Sequence, residues 1–66
     1  MTVTVNGEPH LAAGAMSLAE AVELLTTKPG GVAAALNGEV IRRADWPRTP
    51  LADGDEVEVV TAVQGG

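Results

Sequence analysis

Residues 17–25 read Ser-Leu-Ala-Glu-Ala-Val-Glu-Leu-Leu, the main helix signal in a chain otherwise written in strands and turns. Ser17 can accept a hydrogen bond from the N–H three residues on, while Glu20 can reach back to the Ser17 N–H, the reciprocal pair of a capping box. Leu18, Ala21, Val22 and Leu25 recur at i, i+3, i+4 and i+7, which predicts one apolar stripe facing a core. Lys28 suits the negative end of the helix dipole, and Pro29-Gly30-Gly31 stops the helix. A single stripe packs against a single surface, so the rest of the chain must supply a sheet.

Upstream of the helix, Thr2-Val3-Thr4-Val5 alternates polar and apolar residues with the period of a half-buried strand. Asn6-Gly7 follows, the pair best suited to a two-residue hairpin turn because both positions take positive φ. The return strand spans about 8–12 and contains Pro9, which has no N–H to give and therefore predicts a sheet edge. Downstream, 32–36 is an apolar run of strand length, and a second Asn-Gly at 37–38 turns it into 39–41. The recurring Asn-Gly-Glu at 6–8 and 37–39 reads as two copies of a good turn. Residues 42–52, with Trp46-Pro47 and Thr49-Pro50, predict an irregular crossing with one helical turn. Asp53-Gly54-Asp55 is a turn. The last strand, 56–63, sets Val57, Val59, Thr61 and Val63 on one face, opposite Glu56, Glu58, Val60 and Ala62. The order β-β-α-β-β-β predicts an α+β fold, a sheet with one face on the helix and the other toward water.

Sixty-six residues make one domain, 1–66, near the lower size limit for unaided folding. With one Trp and no Phe or Tyr, the core must be built from interdigitated Val, Leu, Ile and Ala, with Met16 beside them. A catalytic pocket would consume much of so small a core, which favours a binding module or carrier over an enzyme. The formal charge of −5 disfavours phosphate backbones, hence nucleic acid, and favours encounter with a basic protein surface. The absence of cysteine excludes disulfides, thiolate metal sites and thiol catalysis. No apolar run nears the roughly 20 residues of a membrane span and no signal peptide is visible, so the expectation is a cytoplasmic protein.

Few side chains suggest chemistry. His10 stands alone on the predicted edge strand, reads as a surface residue, and is too few for a metal site. Asp53-Gly54-Asp55-Glu56 lacks the spacing of a calcium loop. Arg42, Arg43 and Arg48 surround Trp46 in what reads as a solvated loop whose Trp closes one end of the core. The pattern that stands apart is the ending, Thr61-Ala62-Val63-Gln64-Gly65-Gly66. Extended, residues 62–66 reach at most about 17 Å, enough to enter a deep cleft in a partner. The last two residues lack Cβ atoms, so they thread where others would clash. Nothing crowds the carbonyl carbon of Gly66. These properties coincide where a terminal carboxylate is itself the substrate of another protein.

The whole pattern resembles the ThiS family, the thiamine-biosynthesis sulfur carriers of ubiquitin-like β-grasp fold. The resemblance runs through "VNGE" at 5–8, "SLAEAVELL" at 17–25, "AALNGEVIRRADWP" at 34–47, "LADGDEVEVV" at 51–60 and the final "GG". It implies a mixed four- to five-stranded sheet packed against one main helix, with the first and last strands parallel in the centre and a tail at about 63–66. It further implies that Gly66 is adenylated by an E1-like adenylyltransferase using ATP, then converted to a thiocarboxylate with sulfur derived from a persulfide donor protein. A thiazole synthase would receive that sulfur. On this reading the chain is a carrier, not an enzyme, monomeric when free, with no bound cofactor or metal. Gly65 gives the tail passage, and Val60 with Ala62 forms part of the docking surface.

Three other readings fit parts of the pattern. A molybdopterin synthase small subunit shares the fold and thiocarboxylate, although those chains usually run longer. A conjugating modifier would carry Gly66 in isopeptide bonds. A non-covalent ubiquitin-like interaction module would have an inert tail.

Overall fold

The computed structural model of the chain describes residues 1–25 and 31–61. Five strands form one sheet: β1 (Thr2–Val5), β2 (Glu8–Leu11), β3 (Val32–Leu36), β4 (Glu39–Ile41) and β5 (Glu56–Thr61). Their spatial order is β2-β1-β5-β3-β4. Both hairpins form as the two Asn-Gly pairs require, with φ of 51° at Asn6 and Asn37, 84° at Gly7 and 87° at Gly38. Pro9 lies on β2, an edge strand, where its missing N–H interrupts no second ladder.

β5 occupies the centre. It runs parallel to β1, with Thr4 beside Glu56 and Val5 beside Val57, and antiparallel to β3 from Val32↔Thr61 to Leu36↔Val57. The sheet is therefore mixed, as expected of a β-grasp. The expected continuation of this strand to residue 63 lies outside the described residues.

The helix α1 (Leu18–Glu23) starts at the predicted capping box. Ser17 Oγ accepts from Glu20 N at 3.2 Å, and Glu20 Oε1 accepts from Ser17 N at 2.8 Å. Leu18, Ala21 and Val22 are buried. Leu25, expected on the same stripe, is 42% exposed. The helix tightens in its last turn, where Leu24 N bonds Ala21 O and Leu25 N bonds Val22 O, each three residues back. That tightening rotates Leu25 away from the stripe. Lys28 and the stop signal at Pro29-Gly30 lie outside the described residues.

Val3 and Val5 of β1, Val57 of β5 and Ala34 of β3 meet the helix in one core, completed by Trp46 and Leu51. Met16 packs against it, partly buried. Trp46 sits in the 3₁₀ helix Arg43–Arg48 and is 3% exposed. Its indole Nε1 donates to Ile41 O at 2.9 Å, so the ring is buried without leaving its polar atom unpaired. The expected role of Trp46, closing one end of the core, holds. The segment after this turn is laced to the start of α1 by Leu18 N to Thr49 O at 2.8 Å and Leu51 N to Met16 O at 2.9 Å.

Candidate functional site

The central strand leads toward the C-terminal residues, and its two faces differ in character. Val57 is buried under the helix and Val59 packs against the core. Val60 points the other way and is 61% exposed. Register extends the open face from there. Val60 pairs with Ala33, and Ala35, two residues along β3, pairs with Val40 of β4, which is 74% exposed. Val60, Ala33, Ala35 and Val40 thus make one strip of small apolar side chains across three strands. Glu58 pairs with Ala35 and Glu56 with Thr4, which puts two carboxylates along the strip. Of the docking residues expected from sequence, Val60 lies at the end of this strip; Ala62 lies outside the described residues, as do Gly65 and Gly66. Ala33, Ala35 and Val40 were not singled out by sequence reasoning, although a two-residue turn at Asn37-Gly38 already implies the Ala35–Val40 pair.

Both ladders flanking β5 are extended by asparagine side chains. On the β1 side, Asn6 N donates to Val57 O at 2.9 Å, after which the backbone turns away into the hairpin. The Asn6 carboxamide then takes over: Oδ1 accepts from Val59 N at 2.8 Å, and Nδ2 donates to Val59 O at 3.1 Å. On the β3 side, Asn37 N donates to Glu56 O at 2.7 Å and Asn37 Oδ1 accepts from Glu56 N at 2.9 Å. Asn37 Nδ2 also donates to Asp55 Oδ1 at 3.1 Å. The repeated Asn-Gly-Glu is therefore more than two hairpin turns. One copy holds the entry of β5 and the other holds it two residues before the last described position.

The remaining polar groups serve the fold. Asp53 Oδ1 accepts from Thr2 N and Asp55 Oδ2 from Ala52 N, both at 2.7 Å, so these carboxylates are occupied in turn bonds. Among the described residues no three acidic or histidine side chains are grouped as metal ligands. Arg42 and Arg48 both lean on Asp45, at 3.4 and 2.7 Å, with their own side chains largely exposed. The hydrogen bond from Arg48 holds the Asp45 carboxyl below its ordinary value, with Arg42 adding to the effect against a smaller opposing contribution from desolvation. His10 departs from the surface placement expected of it. It pairs with buried Val3, which turns its side chain to the helix face, and its Nε2 is enclosed without a hydrogen-bond partner. No helix among the described residues is long and apolar enough to cross a membrane.

The architecture can be set beside known proteins. The profile of the ThiS family matches residues 3–66, nearly the whole chain. The chain belongs to the ThiS family. Among its relatives is the sulfur carrier protein ThiS of Thermus thermophilus, 44% identical over 64 residues, which span 97% of this chain and 98% of that one. The ThiS sulfur carrier of Escherichia coli is 26% identical over 66 residues, with both chains covered completely. The crystal structure of the thiamine biosynthesis protein ThiS from Geobacter metallireducens superposes with a TM-score of 0.83 at 35% identity, again covering both chains in full. This ThiS-family chain therefore has the ubiquitin-like β-grasp fold, and its five-stranded mixed sheet with one helix is that of its solved relative.

Proposed function

We propose that the chain is a sulfur carrier of thiamine biosynthesis, working through the carboxylate of Gly66. The observation that carries this reading is the family match, which continues through Gly65 and Gly66; the relatives it resembles are named as sulfur carriers. An E1-like adenylyltransferase converts the Gly66 carboxylate to an acyl-adenylate with ATP, releasing pyrophosphate. The outer sulfur of a persulfide then attacks the acyl carbon and displaces AMP, and a thiol cleaves the resulting acyl disulfide, leaving a disulfide and the thiocarboxylate. That group is ionised near neutral pH, and anionic sulfur is the nucleophilic form. A thiazole synthase accepts the sulfur. The carrier contributes position and access, and its partners contribute the catalytic groups.

The open sheet face supports a docking role. Val60, with Ala33, Ala35 and Val40, presents an apolar strip next to Glu56 and Glu58 on a chain of net charge −5. Such a surface suits an activating enzyme that offers an apolar patch with a basic rim, so that charge speeds encounter and apolar contact holds the complex.

Reconstitution tests the acceptor. Carrier loaded with sulfur and mixed with thiazole synthase and its substrates should lose the sulfur as thiazole forms. Transfer to a molybdopterin precursor by molybdopterin synthase large subunit, with none to thiazole synthase, would assign it to the other pathway.

A further inference from the structure

The two asparagines of the repeated Asn-Gly-Glu differ in what they hold, and the difference bears on the tail. Both adopt the left-handed conformation at the first turn position, a position that glycine also fills well. The turn alone therefore does not require a carboxamide. At Asn6 a reason lies across the sheet. Alternate residues of a strand direct both backbone polar groups to the same side, so Val57 and Val59 both face β1. The β1 backbone serves Val57 and then departs at the turn. Val59 would next present an N–H and a C=O to an absent neighbour; the Asn6 carboxamide, one acceptor and one donor, bonds both.

We infer that Asn6 is a positioning residue for the C-terminal tail: its side chain stands in for one more residue of β1 and fixes the direction in which the central strand leaves the sheet. The inference rests on the proposed role of Gly66 as the reacting end. A tail that starts from a fixed strand loses less freedom on entering a partner's cleft than one that starts from a loosened strand. Asn37 makes the natural comparison, because it offers the same conformation and the same amide to Glu56 at the opposite end of β5. Aspartate in place of Asn6 can still accept from Val59 N, but it has no N–H for Val59 O and sets a carboxylate against that carbonyl.

The test compares Asn6→Gly, Asn6→Asp and Asn37→Gly in the full chain. Amide hydrogen exchange at Val59, normalised to Val57, should speed up by roughly five- to tenfold in Asn6→Gly, the worth of about one net hydrogen bond, and stay unchanged in Asn37→Gly. With the activating enzyme, ATP and a sulfur source, Asn6→Gly should raise KM for the carrier by a similar factor while leaving kcat nearly intact. Asn6→Asp, which keeps the acceptor but loses the donor, should also raise KM, and Asn37→Gly should match the parent even where it lowers Tm equally. Equal KM for the two glycine variants, or unaltered Val59 exchange in Asn6→Gly, overturns the inference. Failure of the parent chain itself to accept sulfur would overturn the carrier reading, and with it the role of Asn6 in positioning a reacting tail, whereas the exchange data would still report on the clamp.

Discussion

Val5 and Val57 stand side by side in the parallel ladder of β1 and β5, and both are buried against the helix. This pair joins the first strand to the central one. Their burial ties the stability of the domain to that junction.

Truncating Val57 should therefore weaken the fold. Val57→Ala removes two buried carbons from a residue only 1% exposed, and the lost burial plus the residual cavity should cost about 2 kcal/mol. In a domain of this size that corresponds to a fall in Tm of roughly 10 °C. Thermal unfolding followed by circular dichroism checks it; a Tm within 2 °C of the parent, or roughly so, would contradict the central place given to this side chain.

Trp46 is the sole aromatic side chain, so its emission reports the core alone. Trp46→Phe keeps most of the apolar bulk but leaves Ile41 O without the indole donor, which should cost about 1–3 kcal/mol. Chemical denaturation monitored by far-ultraviolet dichroism measures the loss. In the parent, unfolding should shift the emission to the red in the same transition.

The Asp45 carboxyl is held below its ordinary value, first by Arg48 and then by Arg42. A carboxyl depressed in the folded state contributes its stabilisation above its unfolded value, about pH 4. That contribution is fully present at neutral pH and disappears as pH falls through the folded value. Arg48→Gln should move the Asp45 titration upward toward the ordinary range, as seen by carboxyl carbon NMR. Because the pair is open to solvent and screened by salt, Tm at neutral pH should barely change.

Local chemistry made much of this fold readable. The capping box at Ser17 and Glu20 and the positive-φ turns at Asn6 and Asn37 depend on neighbours within a few residues. The edge position of β2 followed from Pro9 for the same reason. The parallel pairing of β1 with β5 leaves no mark in any short window, and it was available only through the family resemblance. The bond between Asn6 and Val59 spans 53 residues, which explains why the asparagine read as an ordinary turn residue. His10 was misplaced because one cannot see from an isolated edge strand which of its faces meets buried Val3. Leu25 left the expected stripe when the last helical turn tightened. At the candidate site, Val60 was legible from strand alternation, whereas Ala33, Ala35 and Val40 join it only once the register is known. Gly65 and Gly66 stood out by composition alone.

Val60 offers the direct probe of docking. Val60→Glu places a third carboxylate beside Glu56 and Glu58 on the open face, where it touches none of the core. Tm should move by no more than about 0.5 kcal/mol equivalent. Binding to the activating enzyme, measured by titration calorimetry, should weaken by roughly tenfold or more if the apolar strip is the contact. Unchanged affinity would move the docking surface elsewhere.

Gly66→Ala adds one methyl and should leave the melting curve where it is. It should severely slow formation of the acyl-adenylate, since that methyl sits beside the reacting carbon. Pyrophosphate release by the activating enzyme gives the rate.

The central claim is that the Gly66 carboxylate is the atom group on which a partner performs its reaction. Mass spectrometry of the chain after incubation with the activating enzyme, ATP, a persulfide donor and a thiol reductant tests it most directly, with fragmentation of the C-terminal peptide to locate the change. The account predicts one oxygen replaced by sulfur, confined to Gly66 and absent without ATP. An unaltered C-terminal peptide, in a mixture that loads a known carrier, would contradict it.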